Sequence, residues 1–174
     1  DRLNHWQMNP TREQCPQTRD TAGEHTLAAD LGRVKAELDA ARSGTILADL
    51  SHFGLIHFSG DDARDFLHAQ LSCDVIGLQP LSAQYGSYNT AQGRILASFL
   101  LWRTHAGYFM QLPRALCATI QKQISKYIMR SKVRAADVSD DYVLSGIAGP
   151  QAEALLQSAL GAVAPLSPLG VTTV

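Results

Sequence analysis

The sequence predicts an α+β fold with mainly antiparallel sheets and helices packed on one face. Short stretches rich in β-branched and aromatic residues occur in pairs with turn residues between them, and stretches with apolar residues at helical spacing separate the pairs. Hairpins interleaved with helices are typical of antiparallel sheets that carry helices on one side. The 174 residues, of which 45% are apolar and 18% charged, are enough for one domain with one core.

The first two predicted segments are an arm and a helix. Residues 1–22 are polar and without hydrophobic periodicity, so we expect a flexible arm there and a folded domain over residues 23–174. From Thr21 to Ala41 the apolar residues recur at helical spacing and predict an amphipathic helix that ends at Ser43-Gly44.

Two strands and a second helix follow. The strands are predicted at residues 45–50 and 54–59, and Ser59 or Asp61 is expected to cap the helix after them. The residues that this helix is expected to turn inward are Ala63, Phe66, Leu67 and Leu71.

A hairpin comes next, with strands at residues 85–90 and 94–103 and a turn at Ala91-Gln92-Gly93. The apolar run over residues 95–102 is too continuous for a strand with a solvated face, so this strand is predicted to be central in the sheet. Another strand is expected at residues 108–112.

The last predicted segments are two helices and two strands. A helix from Pro113 to about Arg130 precedes strands at residues 133–138 and 142–147, and a final helix starts at Gly149-Pro150. The apolar stripe of the first of these helices consists of Leu116, Ile120, Ile124, Tyr127 and Ile128.

Charge and cysteine content limit the possible functions. A net charge of −1 gives no whole-molecule attraction to nucleic acid or membrane, so we do not expect direct nucleic-acid binding. No apolar run is long enough to span a bilayer. Cys15, Cys73 and Cys117 form no C-x-x-C pair, and neither a disulfide framework nor a metal site is expected. We therefore expect a cytoplasmic protein.

Two segments about thirty residues apart carry a family resemblance. They read DLSHFGLIHFSGDDA at residues 49–63, continued by FLHAQLSCDV at residues 66–75, and NTAQGRIL at residues 89–96. Together they resemble the folate-binding superfamily that contains the glycine-cleavage T-protein, an aminomethyltransferase, and the YgfZ-type proteins of iron–sulfur enzyme maintenance. The resemblance implies a T-protein/YgfZ-like folate-binding fold, with tetrahydrofolate or a derivative as cofactor.

The resemblance also assigns residues to a central folate cavity, none of them catalytic and none a metal ligand. Phe53 is expected to form an apolar wall, and Tyr85, Asn89 and Ser98 are expected to offer hydrogen bonds. The hairpin turn at the mouth of the cavity consists of Gln92, Gly93 and Arg94. Glycine suits the turn because positive φ is needed there, and a missing side chain lets a flat ring approach. The tripeptide alone is equally that of an ordinary hairpin, and Phe53 is equally suited to the core.

The acidic pair that T-proteins carry after this turn is missing. The aligned positions are Ala97 and Ser98, which cannot act as a carboxylate base. This departure favours the YgfZ-like branch. The later K-G-C-[FY]-x-G-Q motif of that branch is absent, and the chain ends in what looks like the start of a strand, so we expect an N-terminal portion of a longer protein.

The basic run of Lys122, Lys126, Arg130, Lys132 and Arg134 leaves three interpretations open. It is typical of a solvated helix face, it could hold a folate polyglutamate tail, or it could contact RNA, for which interleaved aromatic residues are lacking.

Three functions remain. The favoured one is a folate-binding protein that supports iron–sulfur enzyme assembly or repair, with iron–sulfur clients as partners and no need for turnover. The alternatives are a tetrahydrofolate-dependent aminomethyltransferase and a structural remnant of the family, whose cavity is filled and binds no ligand.

Overall fold

A computed structural model describes residues 19–22, 25–28, 33–160 and 167–172. The elements, in chain order, are β1 (Arg19–Ala22), β2 (His25–Ala28), α1 (Val34–Ser43), β3 (Ile46–Asp49), β4 (Phe53–Ser59), α2 (Ala63–Gln70), β5 (Ala83–Asn89), β6 (Ile95–Thr104), β7 (Gly107–Pro113), α3 (Arg114–Ser125), β8 (Arg134–Asp137), a 3-10 helix (Ser139–Asp141), β9 (Ser145–Ala148) and α4 (Ala152–Leu160).

The main sheet has five antiparallel strands in the order β5-β6-β7-β4-β8. Two smaller antiparallel pairs, β1-β2 and β3-β9, accompany it. The α+β fold with antiparallel sheets is therefore confirmed. The prediction that residues 94–103 form an interior strand is confirmed, because β6 pairs with β5 on one side and β7 on the other.

One face of this sheet is covered by α2 and α3. Phe66 and Leu67 of α2 and Ile120 and Ile124 of α3 are buried in the same cluster as the inward side chains of the strands. The strand residues of that cluster are Ile56, Phe58, Tyr88, Ala97, Phe99, Leu101, Tyr108, Met110 and Leu112. The residues expected to turn inward from α2 are all buried.

The predicted helix from Thr21 to Ala41 was wrong in its first half, because β1 and β2 pair there and α1 begins at Val34. Gly23 between the β-branched Thr21 and Thr26 is the hairpin signal that the helical periodicity obscured. Residues 1–18 lie outside the described residues, and the last four residues of the expected arm form β1.

The caps of α2 and the end of α3 also differ from expectation. Asp62 occupies the N-cap position of α2, and its Oδ2 accepts a hydrogen bond from the backbone N–H of Lys132 at 2.7 Å instead of capping the helix. Helix α3 ends at Ser125, where the N–H of Tyr127 bonds to the carbonyl of Ile124 at 3.0 Å. Because this i→i−3 bond tightens the last turn, Tyr127 leaves the apolar stripe and is 59% exposed.

Candidate functional site

The second face of the main sheet is not covered in the same way. Along β6 the buried residues Ala97, Phe99 and Leu101 point to the helices, and the alternate residues Ser98 and Leu100 point to the other side, where they are exposed or half-buried. We call this side the open face. Because successive side chains of a strand point to opposite faces of the sheet, the side chains on the open face do not belong to the helix-covered core.

A cavity of about 420 Å³ lies on the open face. Strand register builds it, since Tyr85 pairs with Leu100 and Leu100 pairs with Gln111, so that side chains of β5, β6 and β7 form one row across the sheet. The lining residues are Phe53, Tyr85, Gly86, Ser98, Phe99, Leu100 and Gln111. The cavity thus combines aromatic and aliphatic walls with hydroxyl and amide groups, which is the usual make-up of a small-molecule site.

An aromatic row borders the cavity on the same face. The His57 and Phe109 rings stack with centroids 4.5 Å apart, and Phe109 stacks on Trp102 at 5.6 Å. Tyr142 meets the edge of Phe109 at 5.7 Å. The row occupies the next register positions after Leu100 and Gln111, so it forms a rigid end wall beside the cavity.

A β-bulge shifts the register of the hairpin beyond Ser98. Tyr88 pairs with Ala97 but Asn89 pairs with Ile95, so β6 has one extra residue there. Because of this extra residue, Ile95 is 61% exposed while Leu96 packs against the core. Bulges are common beside binding sites because they redirect side chains.

The Asn89 side chain carries an unsatisfied acceptor at this bulge. Its Oδ1 is buried and, among the described residues, has no hydrogen-bond partner. A buried acceptor without a donor costs about 1–3 kcal/mol, so native proteins rarely retain one without a reason. This atom could therefore accept a hydrogen bond from a donor that the described residues do not supply.

The hairpin turn lies at the tip of β5 and β6, away from the cavity. Gly93 has φ of +80°, and a Cβ added to it would meet nothing within 4 Å, so the backbone conformation and not space requires glycine. Gln92 and Arg94 are exposed. At roughly 3.3 Å per strand residue, Arg94 is about 13 Å along the chain from Ser98. These turn residues do not line the cavity.

Of the seven residues assigned from the sequence, the structure brings Phe53, Tyr85 and Ser98 into the cavity and leaves Asn89, Gln92, Gly93 and Arg94 outside its lining. The other four lining residues, Gly86, Phe99, Leu100 and Gln111, were not foreseen. No motif marks Gln111, but the alternation of β7 could have placed it on the face opposite Met110 and Leu112.

The two positions of the missing acidic pair have different environments. Ala97 is 3% exposed in the core, and the Ser98 hydroxyl faces the cavity. Of this pair, only Ser98 therefore stands where a carboxylate could reach a ligand. The seven lining residues found in the described part of the chain include no Asp or Glu.

Ser139 of the 3-10 helix is hydrogen-bonded to β4, two residues from Phe53 of the cavity. Its Oγ accepts a hydrogen bond from the backbone N–H of Leu55 at 3.0 Å and donates one to the Asp137 carboxylate. Arg114 pairs with the Asp140 carboxylate and donates to the Ser139 carbonyl at 3.4 Å. Burial raises the pKa of the adjacent Cys117 thiol, which favours its protonated form.

The family comparison places the whole arrangement in context. A family model described as the GCVT N-terminal domain matches residues 17–167. The chain belongs to this GCVT family. The structure of a glycine cleavage system aminomethyltransferase T from Bartonella henselae superimposes with a TM-score of 0.82 at 21% identity, over 91% of this chain and 44% of that one. At this identity the match confirms the GCVT fold alone.

Curated GCVT relatives come from both branches of the superfamily. A protein from Photobacterium profundum named tRNA-modifying protein YgfZ is 32% identical over 64% of this chain and 33% of its own length. An aminomethyltransferase from Bacillus licheniformis is also 32% identical, over 78% of this chain and 37% of its own length. The chain thus spans about a third of the relatives that it matches, and membership of the T-protein and YgfZ superfamily is confirmed.

Two features are absent from the residues that the structure describes. No helix among them is long and apolar enough to cross a membrane. The same residues contain no group of three His, Cys, Asp or Glu side chains that could hold a metal ion.

Proposed function

We propose that this chain is the folate-binding portion of a YgfZ-like protein. The observation that carries the proposal is that Ser98 lines the cavity. By the family resemblance this is one of the two positions where T-proteins carry an acidic residue, and serine cannot act as a carboxylate base. A reduced folate can still bind there, because binding requires hydrogen bonds and apolar walls but no base. Sequence identity does not separate the two branches, since both kinds of relative are 32% identical.

In this proposal the pterin lies in the cavity between Phe53 and the row of Tyr85 and Gln111. Ser98 supplies an acceptor for a pterin N–H group in the cavity, and the unsatisfied Oδ1 of Asn89, which lies outside the cavity lining, becomes a second acceptor when its side chain turns toward the bound ligand. The glutamate end of the folate extends along the hairpin toward Arg94, whose guanidinium can hold a carboxylate with two hydrogen bonds. Gln92 and Gly93 form the turn beneath it.

The wider role follows the YgfZ branch. The protein supports assembly or repair of iron–sulfur enzymes, with those enzymes as partners and without turnover of its own. It acts in the cytoplasm, the compartment expected for three cysteines that show no disulfide pattern.

Calorimetry with 5-formyl-tetrahydrofolate tests the binding step. We expect saturable binding that Phe53→Ala weakens at least tenfold, because the variant removes an aromatic wall of the cavity. The matched control is Leu47→Ala on β3, an apolar residue that is 73% exposed and does not line the cavity. Absence of binding in the native chain would support the remnant with a filled cavity.

A turnover assay then separates the two binding candidates. The aminomethyltransferase alternative predicts methylene-tetrahydrofolate formation from an aminomethyl group on a lipoylated carrier. We expect no product above the reaction without protein, because no carboxylate lines the cavity in the described residues. Product formation would establish the alternative and overturn the proposal.

A further inference from the structure

Positive charge is concentrated in one segment of this nearly neutral chain. Residues 114–136 contain six of the 15 Lys and Arg residues and none of the 16 Asp and Glu residues. Two of the six have partners, since Arg114 pairs with Asp140 and Lys132 lies 3.7 Å from Asp61. The other four are Lys122, Lys126, Arg130 and Arg134.

These four side chains define what we call the basic surface. All four are exposed, and none forms an ion pair with another residue in the described part of the chain. Lys122 and Lys126 are one helical turn apart, and Arg134 belongs to β8, the edge strand of the main sheet. Asp61 and Asp62 lie beside Lys132, but residues 114–136 themselves carry no acidic side chain, unlike an ordinary solvated helix with mixed charges.

Two large side chains are exposed within the basic surface. Tyr127 is 59% exposed between Lys126 and Arg130, and Met129 is 88% exposed next to Arg130. The periodicity of the sequence predicts Tyr127 in the core, and interleaved aromatic residues were not expected in this segment. Because α3 ends at Ser125, Tyr127 is exposed, and it directly follows Lys126 in the chain.

The basic surface is separate from the folate cavity. Cys117, Ile120 and Ile124 attach α3 to the covered face of the sheet, and the cavity lies on the open face. A folate tail would have to pass around the sheet to reach Lys122 or Lys126. The polyglutamate interpretation of this segment is therefore disfavoured.

We propose that the basic surface binds a single-stranded nucleic acid, with phosphates on the four cations and a base stacked on Tyr127. Cations that track a backbone and an aromatic side chain that accepts any base are the two elements of sequence-tolerant single-strand binding. An acidic polypeptide could meet the cations but has no flat rings for Tyr127. The proposal does not rest on folate binding.

Fluorescence anisotropy with a labelled oligouridylate of about 12 nucleotides tests the proposal. For three to four phosphate contacts, log K should fall with log salt with a slope of about −2 to −3 between about 50 and 200 mM salt. The triple variant Lys122→Gln, Lys126→Gln and Arg130→Gln should bind at least tenfold more weakly at low salt. Its slope should become shallower by about 2.

The matched control removes three exposed cations from α1 and its N-cap, with Arg33→Gln, Lys35→Gln and Arg42→Gln. Both triple variants have the same net charge, but α1 also carries Glu37 and Asp39. We expect the control to bind as the native chain does. Equal loss in both variants would mean attraction by total charge and would overturn the proposal, as would no detectable binding by the native chain.

Tyr127 provides the second measurement. Tyr127→Phe should retain affinity, and Tyr127→Ala should lose about fivefold or more, because stacking of one base is worth about 1–3 kcal/mol. Poly-L-glutamate in excess should not displace the oligonucleotide. Displacement at equal charge concentration, or equal affinities of the Phe and Ala variants, would instead assign the surface to an acidic polypeptide.

Discussion

The two faces of the five-stranded sheet consist of alternate residues of the same strands, yet their chemistry differs. Leu101 of β6 is fully buried under the helices, while its neighbour Leu100 is half-buried in the wall of the cavity. The buried cluster on the covered face consists of apolar residues and two tyrosines, whereas the cavity includes a serine and a glutamine. Packing therefore fixes the covered face and leaves the open face available for binding.

The sharpest test of this comparison uses the two adjacent leucines. Leu101→Ala should lower the free energy of unfolding by about 2–5 kcal/mol, because it leaves a void in a close-packed core. Leu100→Ala should cost about 1 kcal/mol, since its side chain is already partly in contact with solvent. Urea denaturation of both variants measures the difference. Similar losses of stability would mean that the open face is as tightly packed as the other.

The second test concerns the unsatisfied acceptor of Asn89. Asn89→Ala should weaken 5-formyl-tetrahydrofolate binding about tenfold without lowering the free energy of unfolding, because it removes a buried acceptor that has no donor among the described residues. Ser87→Ala is the control, since the Ser87 hydroxyl already bonds to Ser72 at 3.0 Å. The control should lose stability and retain affinity; the reverse pattern would remove Asn89 from the site.

The covered face was largely predictable from the sequence, because the buried residues of its helices recur at helical spacing. Phe66, Leu67, Ile120 and Ile124 recur at helical spacing and all four are buried. Tyr127 followed the same spacing but lies beyond the point where the helix tightens, and sequence periodicity carries no information about that hydrogen bond.

The open face was less predictable. Phe53, Tyr85 and Ser98 were assigned to the ligand through the family resemblance, and they do line the cavity. Gln111 was missed because its place depends on the register between β6 and β7, which is a long-range property. The bulge beside Asn89, which leaves Ile95 exposed, was also not predictable. No sequence signal distinguishes it from regular strand pairing.

The third test compares cations on the two sides of the sheet. Arg94→Ala should weaken folate binding about fivefold, and Lys126→Ala should leave it unchanged. The effect is moderate because Arg94 is exposed, and an exposed ionic contact is worth at most about 1 kcal/mol. Calorimetry at low and moderate ionic strength measures the folate affinity of both variants. Loss confined to Lys126 would move the ligand to α3 and away from the cavity.

The smallest expected effect is a pH dependence that originates on the covered face. Burial raises the pKa of the Cys117 thiol above its ordinary value of 9.0, and burial also raises the pKa of Cys73, which is less deeply placed. A group with a higher pKa in the folded state stabilises the fold below its unfolded pKa, and this contribution is lost as the pH rises toward the folded value. Stability should therefore be constant up to about pH 8 and decline by about pH 10.

Cysteine variants assign that decline to its source. Cys117→Ala should flatten it more than Cys73→Ala does, because Cys117 is 1% exposed and Cys73 is only half-buried. The measurement is the urea midpoint of each variant at several pH values. A decline of the same size in Cys117→Ala as in the native chain would show that this thiol ionises without cost. Its neighbourhood, beside Gly54 and Ser139, would then be open to water, and the covered face would differ less from the open face than its apolar side chains indicate.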